Sequence, residues 1–159
     1  SIMFGNAGRS GRSGSGTAAP GFVARVEMSE NLKWSDTTSE KIRKDGWLAP
    51  GLIEIESGQA KIAFNSGATA TIEGPVILSI ESNNRLFLKE GSLSADVPKP
   101  ATGFTVNTPR MNAVDIGTRF GISVAKNGDS ELHVMEGEVE ASRTRGNAVT
   151  TLVLSLIHI

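Results

Sequence analysis

The sequence contains no cysteine, no tyrosine, two tryptophans and two histidines among its 159 residues. Without cysteine there is no disulfide, no thiolate metal site and no thiol nucleophile. Aromatic content is 5%, all of it Phe and Trp, which is thin for a surface that stacks sugars or bases. Neither sign of charge predominates: 16 Lys and Arg against 17 Asp and Glu leave a net charge of -1. A nucleic-acid partner is therefore not expected, since it requires a basic patch or stripe. No apolar run reaches the roughly 20 residues of a membrane-spanning helix. Also missing are a phosphate-cradling Gly-Lys-Ser/Thr loop, a His-Glu-x-x-His metal pair and a Gly-x-Ser-x-Gly nucleophile turn. Gly14 to Ala19 matches the dinucleotide fingerprint only formally, because Pro20-Gly21 follows where a helix N-terminus would have to hold the pyrophosphate. No catalytic residue, cofactor or metal is expected.

What the chain does have is 18 Gly and 29 Ser plus Thr, the composition of many turns. Residues 1–20 read as a Gly/Ser/Arg-rich tether, and residues 21–50 as an irregular lead-in. The lead-in offers a strand at Phe22 to Val26 and one or two helical turns over Thr37 to Lys44, with Thr37 and Glu40 placed as a capping box. Trp34 and Trp47 lie in this segment and are read as packing at the edge of the core. Residues 51–153 form a β domain, with net charge moving from +2 over residues 1–50 to -3 here. Residues 154–159, Leu-Ser-Leu-Ile-His-Ile, read as an adapter-derived tail outside the fold, with a C-terminal strand over Val149 to Ile159 as the alternative.

From Gly51 onward the hydrophobic period is 2. Ile53 and Ile55, Ile62 and Phe64, Ala70 and Ile72, Leu78 and Ile80, Leu93 and Ala95, and Phe120 and Ile122 each alternate with polar or small residues. That is the signature of strands with one buried and one wet face. Turn chemistry falls at Ser57-Gly58, Ser66-Gly67, Gly74-Pro75, Asn83-Asn84, Glu90-Gly91, Thr108-Pro109, Asn127-Gly128, Glu136-Gly137 and Gly146-Asn147. The spacing predicts an all-β fold of short antiparallel strands in a sandwich, roll or solenoid-like arrangement. Leu88 to Ala95 and Val134 to Ala141 share an apolar residue, Glu-Gly and an alternating strand ending in Ala, which suggests two similar hairpin units.

Three groups invite a chemical reading. His133, between Leu132 and Val134, points away from the core and has no nucleophile beside it in sequence. Asn127, Asp129 and Glu131 present alternating oxygen donors, but Asn-Gly between apolar strands is first a hairpin turn. Asp115, followed by Ile116-Gly117-Thr118, lacks the Ser or Thr directly after it, and the second carboxylate, that an aspartic-protease dyad needs. It is expected to accept N–H bonds from the Gly117-Thr118 turn or to pair with Arg119.

Glu73-Gly74-Pro75, the Glu90-Gly91 segment, Phe104-Thr105-Val106-Asn107-Thr108-Pro109, Val114-Asp115-Ile116-Gly117-Thr118-Arg119-Phe120 and Leu132 to Val139 with Glu136-Gly137 resemble the FecR-domain family, across about residues 46–142. The resemblance singles out Gly74, Pro75, Gly91, Phe104, Thr108, Pro109, Asp115, Gly117, Thr118, Phe120 and Gly137 as family-motif positions of structural role. It implies a periplasmic sensor domain of a single-pass inner-membrane regulator. In such proteins a cytoplasmic region controls a sigma factor and a TonB-dependent outer-membrane receptor supplies the signal. On that reading a membrane anchor precedes residue 1, and no residue present contacts the sigma factor directly. A cell-envelope adhesion or glycan-binding module is the alternative, with Trp34 or Trp47 as its test positions.

Overall fold

The computed structural model describes residues 21–39, 42–43, 45–144, 149–153 and 156–158. The strands are β1 (Ala24–Trp34), β2 (Trp47–Leu48), β3 (Gly51–Phe64), β4 (Thr69–Ser82), β5 (Arg85–Asp96), β6 (Thr105–Asn107), β7 (Met111–Val124), β8 (Ser130–Arg143), β9 (Val149–Val153) and β10 (Leu156–His158). A single helical turn, α1 (Asp36–Ser39), follows β1, and a 3-10 turn (Lys99–Ala101) precedes β6. The fold is all-β, as the period-2 pattern predicts. Its strands make one open sheet in the order β10-β8-β7-β6-β5-β4-β3-β1-β2, with β9 also paired to β8, and the sheet does not close into a barrel. Every pairing is antiparallel except that of β5 with β6.

The strands are longer than the expected short ones, because several predicted turns are not turns. Ser66-Gly67, Asn83-Asn84 and Asn127-Gly128 do reverse the chain between consecutive strands. Ser57-Gly58, Gly74-Pro75, Glu90-Gly91 and Glu136-Gly137 instead lie inside 12- to 14-residue strands, at shifts in pairing register. The buried residues explain the confusion. In β3 the core face is Ile53 and Ile55, then Ala60, Ile62 and Phe64; in β5 it is Leu86 and Leu88, then Leu93 and Ala95; in β8 it is Leu132 and Val134, then Val139 and Ala141. Each strand switches between odd and even positions across its glycine. A β-bulge adds one residue, bends the strand and returns the next side chains to the same face. A turn breaks the period in the same way, so the sequence alone does not separate them.

The inward faces of β3, β4, β5, β7 and β8 form one core, joined by Phe104 and Val106. Phe64 at the end of β3 meets Phe104 edge to face, with ring centroids 4.9 Å apart, although β4 and β5 lie between them in the sheet. The sheet is therefore folded over so that its apolar face meets itself. Each fully buried Leu, Ile or Phe contributes about 1.5–3 kcal/mol of transfer free energy.

In the lead-in, β1 continues well past Val26, to Trp34, and the helical turn begins earlier than expected. Its cap is Ser35, whose Oγ accepts the Thr38 N–H at 3.2 Å; Thr37 is helical and Glu40 lies outside the described residues. Trp34, Leu32 and Ile42 pack partly buried against the core. The turn expected at Gly146-Asn147 and the tether at residues 1–20 also lie outside the described residues. β9 and β10 run along successive halves of β8, with Glu138 opposite Val153 and His133 opposite Leu156.

Candidate functional site

The motif glycines are held by close backbone approach. Gly91 has φ +107°, and a Cβ there would lie 2.8 Å from the Pro75 carbonyl oxygen and 2.9 Å from Val76 Cα. Gly137 has φ +84°, and its Cβ would lie 2.5 Å from the Gly117 carbonyl oxygen and 2.7 Å from Thr118 Cγ2. Each bend thus nests inside the bend of the strand beside it, and only a residue without a side chain fits at either place. Gly74 and Pro75, joined by a cis peptide bond, form the β4 member of the first row; Gly117 forms the β7 member of the second.

The second row holds a buried carboxyl. Asp115 is 0% exposed, on the same face of β7 as Met111 and Ala113. Its Oδ2 accepts the Gly117 N–H at 2.7 Å, while Oδ1 has no hydrogen-bond partner among the described residues. Thr118 Oγ1, three residues on, is also buried and without a hydrogen-bond partner among the described residues. Burial raises the Asp115 pKa from 3.8 to about 6, against the lowering pull of the Gly117 and Thr118 N–H groups, and Asp96 adds like-charge repulsion. Arg119, the other partner expected for Asp115, is exposed and makes no ion pair with it among the described residues. Residues 97–104 cover this bend. They hang on it by three backbone bonds: Val97 N–H to Thr118 O (2.8 Å), Gly103 N–H to Asp115 O (3.0 Å) and Asp115 N–H to Phe104 O (2.9 Å).

Thr108 and Pro109 occupy a third place, the turn before β7. Thr108 Oγ1 accepts the Met111 N–H at 2.9 Å and lies 2.9 Å from Ser130 Oγ, which in turn donates to Gly128 O at 3.2 Å. Outside this buried pair, Arg110 Nη1 donates to Asp129 Oδ1 at 2.8 Å and Nη2 to Asn127 O at 3.2 Å. The turn before β7 is thereby clasped to the turn after it. Ser130 and Arg110 are participants that the motif reading did not single out. Ser130 had a signal, since it stands in phase with Leu132 and Val134. Arg110 had none, because its partner lies 19 residues away.

The remaining candidates are dispersed. Asn127 Oδ1 accepts the Asp129 N–H at 2.9 Å, so these alternating oxygen donors serve the turn, and Glu131 is exposed on β8. His133 is exposed on β8. Trp34 and Trp47 are half-buried, and the Arg25 guanidinium sits 5.4 Å from the Trp47 ring centroid. Three surface grooves, of 260, 380 and 340 Å³, lie along β1, and no family-motif residue lines them. Among the described residues no three His, Cys, Asp or Glu gather as a metal site, and no helix is long and apolar enough to cross a membrane. The arrangement of the motif residues suits shape-keeping: Phe104, at the end of the cover, and Phe120 are 0% exposed, and the others lie in the bends and the clasp.

Two crystal structures, each described as a "putative anti-sigma factor" from Parabacteroides distasonis ATCC 8503, share this fold. The first matches with a TM-score of 0.59 at 14% identity over 68% of this chain and 54% of its own. The second matches with 0.58 at 15% over 69% and 55%. The chain thus spans about half the length of these structures. No curated protein matches it significantly. The FecR protein family matches residues 51–140, the stretch from the start of β3 through Glu140 that contains both rows of bends, the Asp115 cover and the Thr108 clasp. The chain belongs to the FecR protein family.

Proposed function

We propose that this domain is the non-catalytic periplasmic sensor and interaction part of a FecR-like transmembrane regulator of the anti-sigma-factor type. The observation that carries the reading is the family match over residues 51–140; the shared fold with proteins described as anti-sigma factors supports it. The placement of the motif residues agrees with a binding role. They are spent on bends and covers, which leaves the solvent-facing side chains to meet a partner. On β8 these are Glu131, His133, Met135, Glu136, Glu138 and Glu140, all exposed. The partner on this reading is the periplasmic signalling part of a TonB-dependent receptor, and the sigma factor is reached only through a cytoplasmic region outside this chain.

The test is calorimetric titration of the purified domain with periplasmic signalling domains of TonB-dependent receptors encoded beside it. Saturable one-to-one binding in the micromolar range is expected, and weakening by charge reversal on β8, for example Glu138→Lys, would place the contact. No heat of binding with any such domain at several hundred micromolar would sink the proposal.

A further inference from the structure

We propose that the Asp115 bend and its cover, residues 97–104, form a proton-operated catch, closed when the Asp115 carboxyl is neutral and loosened when it is ionised. The inference goes beyond the signalling role above and does not depend on any partner. It starts from geometry. A carboxyl with 0% exposure has Oδ2 bonded to the Gly117 N–H, while Oδ1 makes no hydrogen bond among the described residues and the Thr118 N–H gives the carboxylate only a weaker pull. A buried anion in that state is costly, whereas a neutral carboxyl in the same place leaves only a polar atom unpaired. The route to relief is short. Pro98, Lys99, Pro100 and Thr102 in the cover are exposed, and three backbone bonds tie residues 97–104 to the bend. Opening the segment between Val97 and Phe104, which stay as buried anchors at its two ends, by parting the Gly103 N–H from Asp115 O would let water approach the carboxyl.

Among the described residues no other charge cancels this cost. The charged groups on the elements packed around Asp115 are Asp96 on β5, Lys99 in the cover, Arg119 on β7, and Glu136, Glu138 and Glu140 on β8. All are exposed, and none forms an ion pair with Asp115 among the described residues. Asp96 acts in the unfavourable direction. The closed form therefore holds its proton up to about pH 6, where an open, hydrated carboxyl releases it near 3.8. Between those values the closed state binds more protons, so closure weakens as pH rises through the window and is weakest above it. A shift of about 2 units corresponds to about a hundredfold change in the closed-to-open ratio.

Amide hydrogen exchange followed by mass spectrometry at pH 4.5, 6 and 7.5, corrected for the intrinsic rate, reads the catch directly. Protection of residues 97–104 should fall by about 25-fold from pH 4.5 to 7.5, with the centre of β4 unchanged. Asp115→Asn should abolish the dependence, and Asp96→Asn should shift it to lower pH. Constant protection of 97–104 in the wild type, or a loss spread equally over the whole sheet, would overturn the proposal. If Asp115→Asn does not fold, the Asp115 carboxyl carbon resonance of the wild-type domain decides: a midpoint near 6 supports the catch and one near 4 overturns it.

Discussion

The sheet bends twice, and the two rows of bends have different interiors. In the β3–β5 row the buried neighbours are hydrocarbon: Ile55, Ile72, Val76 and Leu93. In the β7–β8 row the equivalent space holds Asp115 and Thr118, both buried and each with an oxygen lacking a hydrogen-bond partner among the described residues. The glycine geometry is common to both, so backbone nesting is the general solution to bending these strands. The carboxyl is not required by the bend. It makes one of two similar rows sensitive to protonation, while the other responds only to packing.

The strongest way to break the comparison is to fill the nests. Gly91→Ala and Gly137→Ala each combine a positive φ with backbone contact below 3 Å, and strain with overpacking predicts a loss of about 2–5 kcal/mol for each. Similar losses in urea denaturation would confirm that the rows are equivalent; a tolerant Gly137 would separate them. Next is pH. Folded Asp115 keeps its proton up to about pH 6 and the unfolded chain gives it up near 3.8. The Asp115 contribution should therefore lower unfolding free energy by up to ~3 kcal/mol as pH rises from about 3 to about 7. Asp115→Asn should remove that component, and a variant at the apolar row, Ile72→Val, should leave the slope intact while losing about 0.5–1.5 kcal/mol. Smaller again is the clasp: Thr108→Val deletes the hydroxyl shared by the Met111 N–H and Ser130 and should cost about 1–2 kcal/mol. Smallest is the solvent-exposed pair of Lys33 and Glu56, 3.1 Å apart, where Lys33→Ala should move the denaturation midpoint by less than about 0.5 kcal/mol in free energy.

How much of this was visible in the sequence follows from what period-2 patterning records. It shows which residues face the core, and so gave the all-β class and the buried faces of β3 to β8. It does not record chain direction, and a one-residue slip at Glu90-Gly91 or Glu136-Gly137 looks like a turn. The repeated Glu-Gly unit was thus visible as a repeat, but its nature, a nested bend, depends on the neighbouring strand. Asp115 shows the other limit. It stands in phase with Met111 and Ala113, yet Val114 and Ile116 are the more apolar pair, so hydrophobicity alone would turn the carboxyl outward. In the fold Ile116 is 39% exposed and Asp115 is buried, because the bend supplies the Gly117 N–H that a carboxyl can accept. The Thr108 clasp joins two turns that sequence patterning can place separately but cannot bring together.

The strand order has a kinetic consequence. From β3 to β5, and again from β7 to β8, each strand pairs with its predecessor through a short reversal: Asn65 to Ala68, Asn83-Asn84 and Ala125 to Asp129. Closing loops this short is a submicrosecond event, and isolated hairpins form in microseconds. The search that remains is the docking of the two preformed ribbons through β5 with β7, and the insertion of the three-residue β6 between their ends. These non-local pairings set the rate, as they do for β proteins in general. Nascent chain that has emerged only as far as Asp96 already contains every partner that β3 and β4 need within the sheet, so the first ribbon can assemble before the second is synthesised.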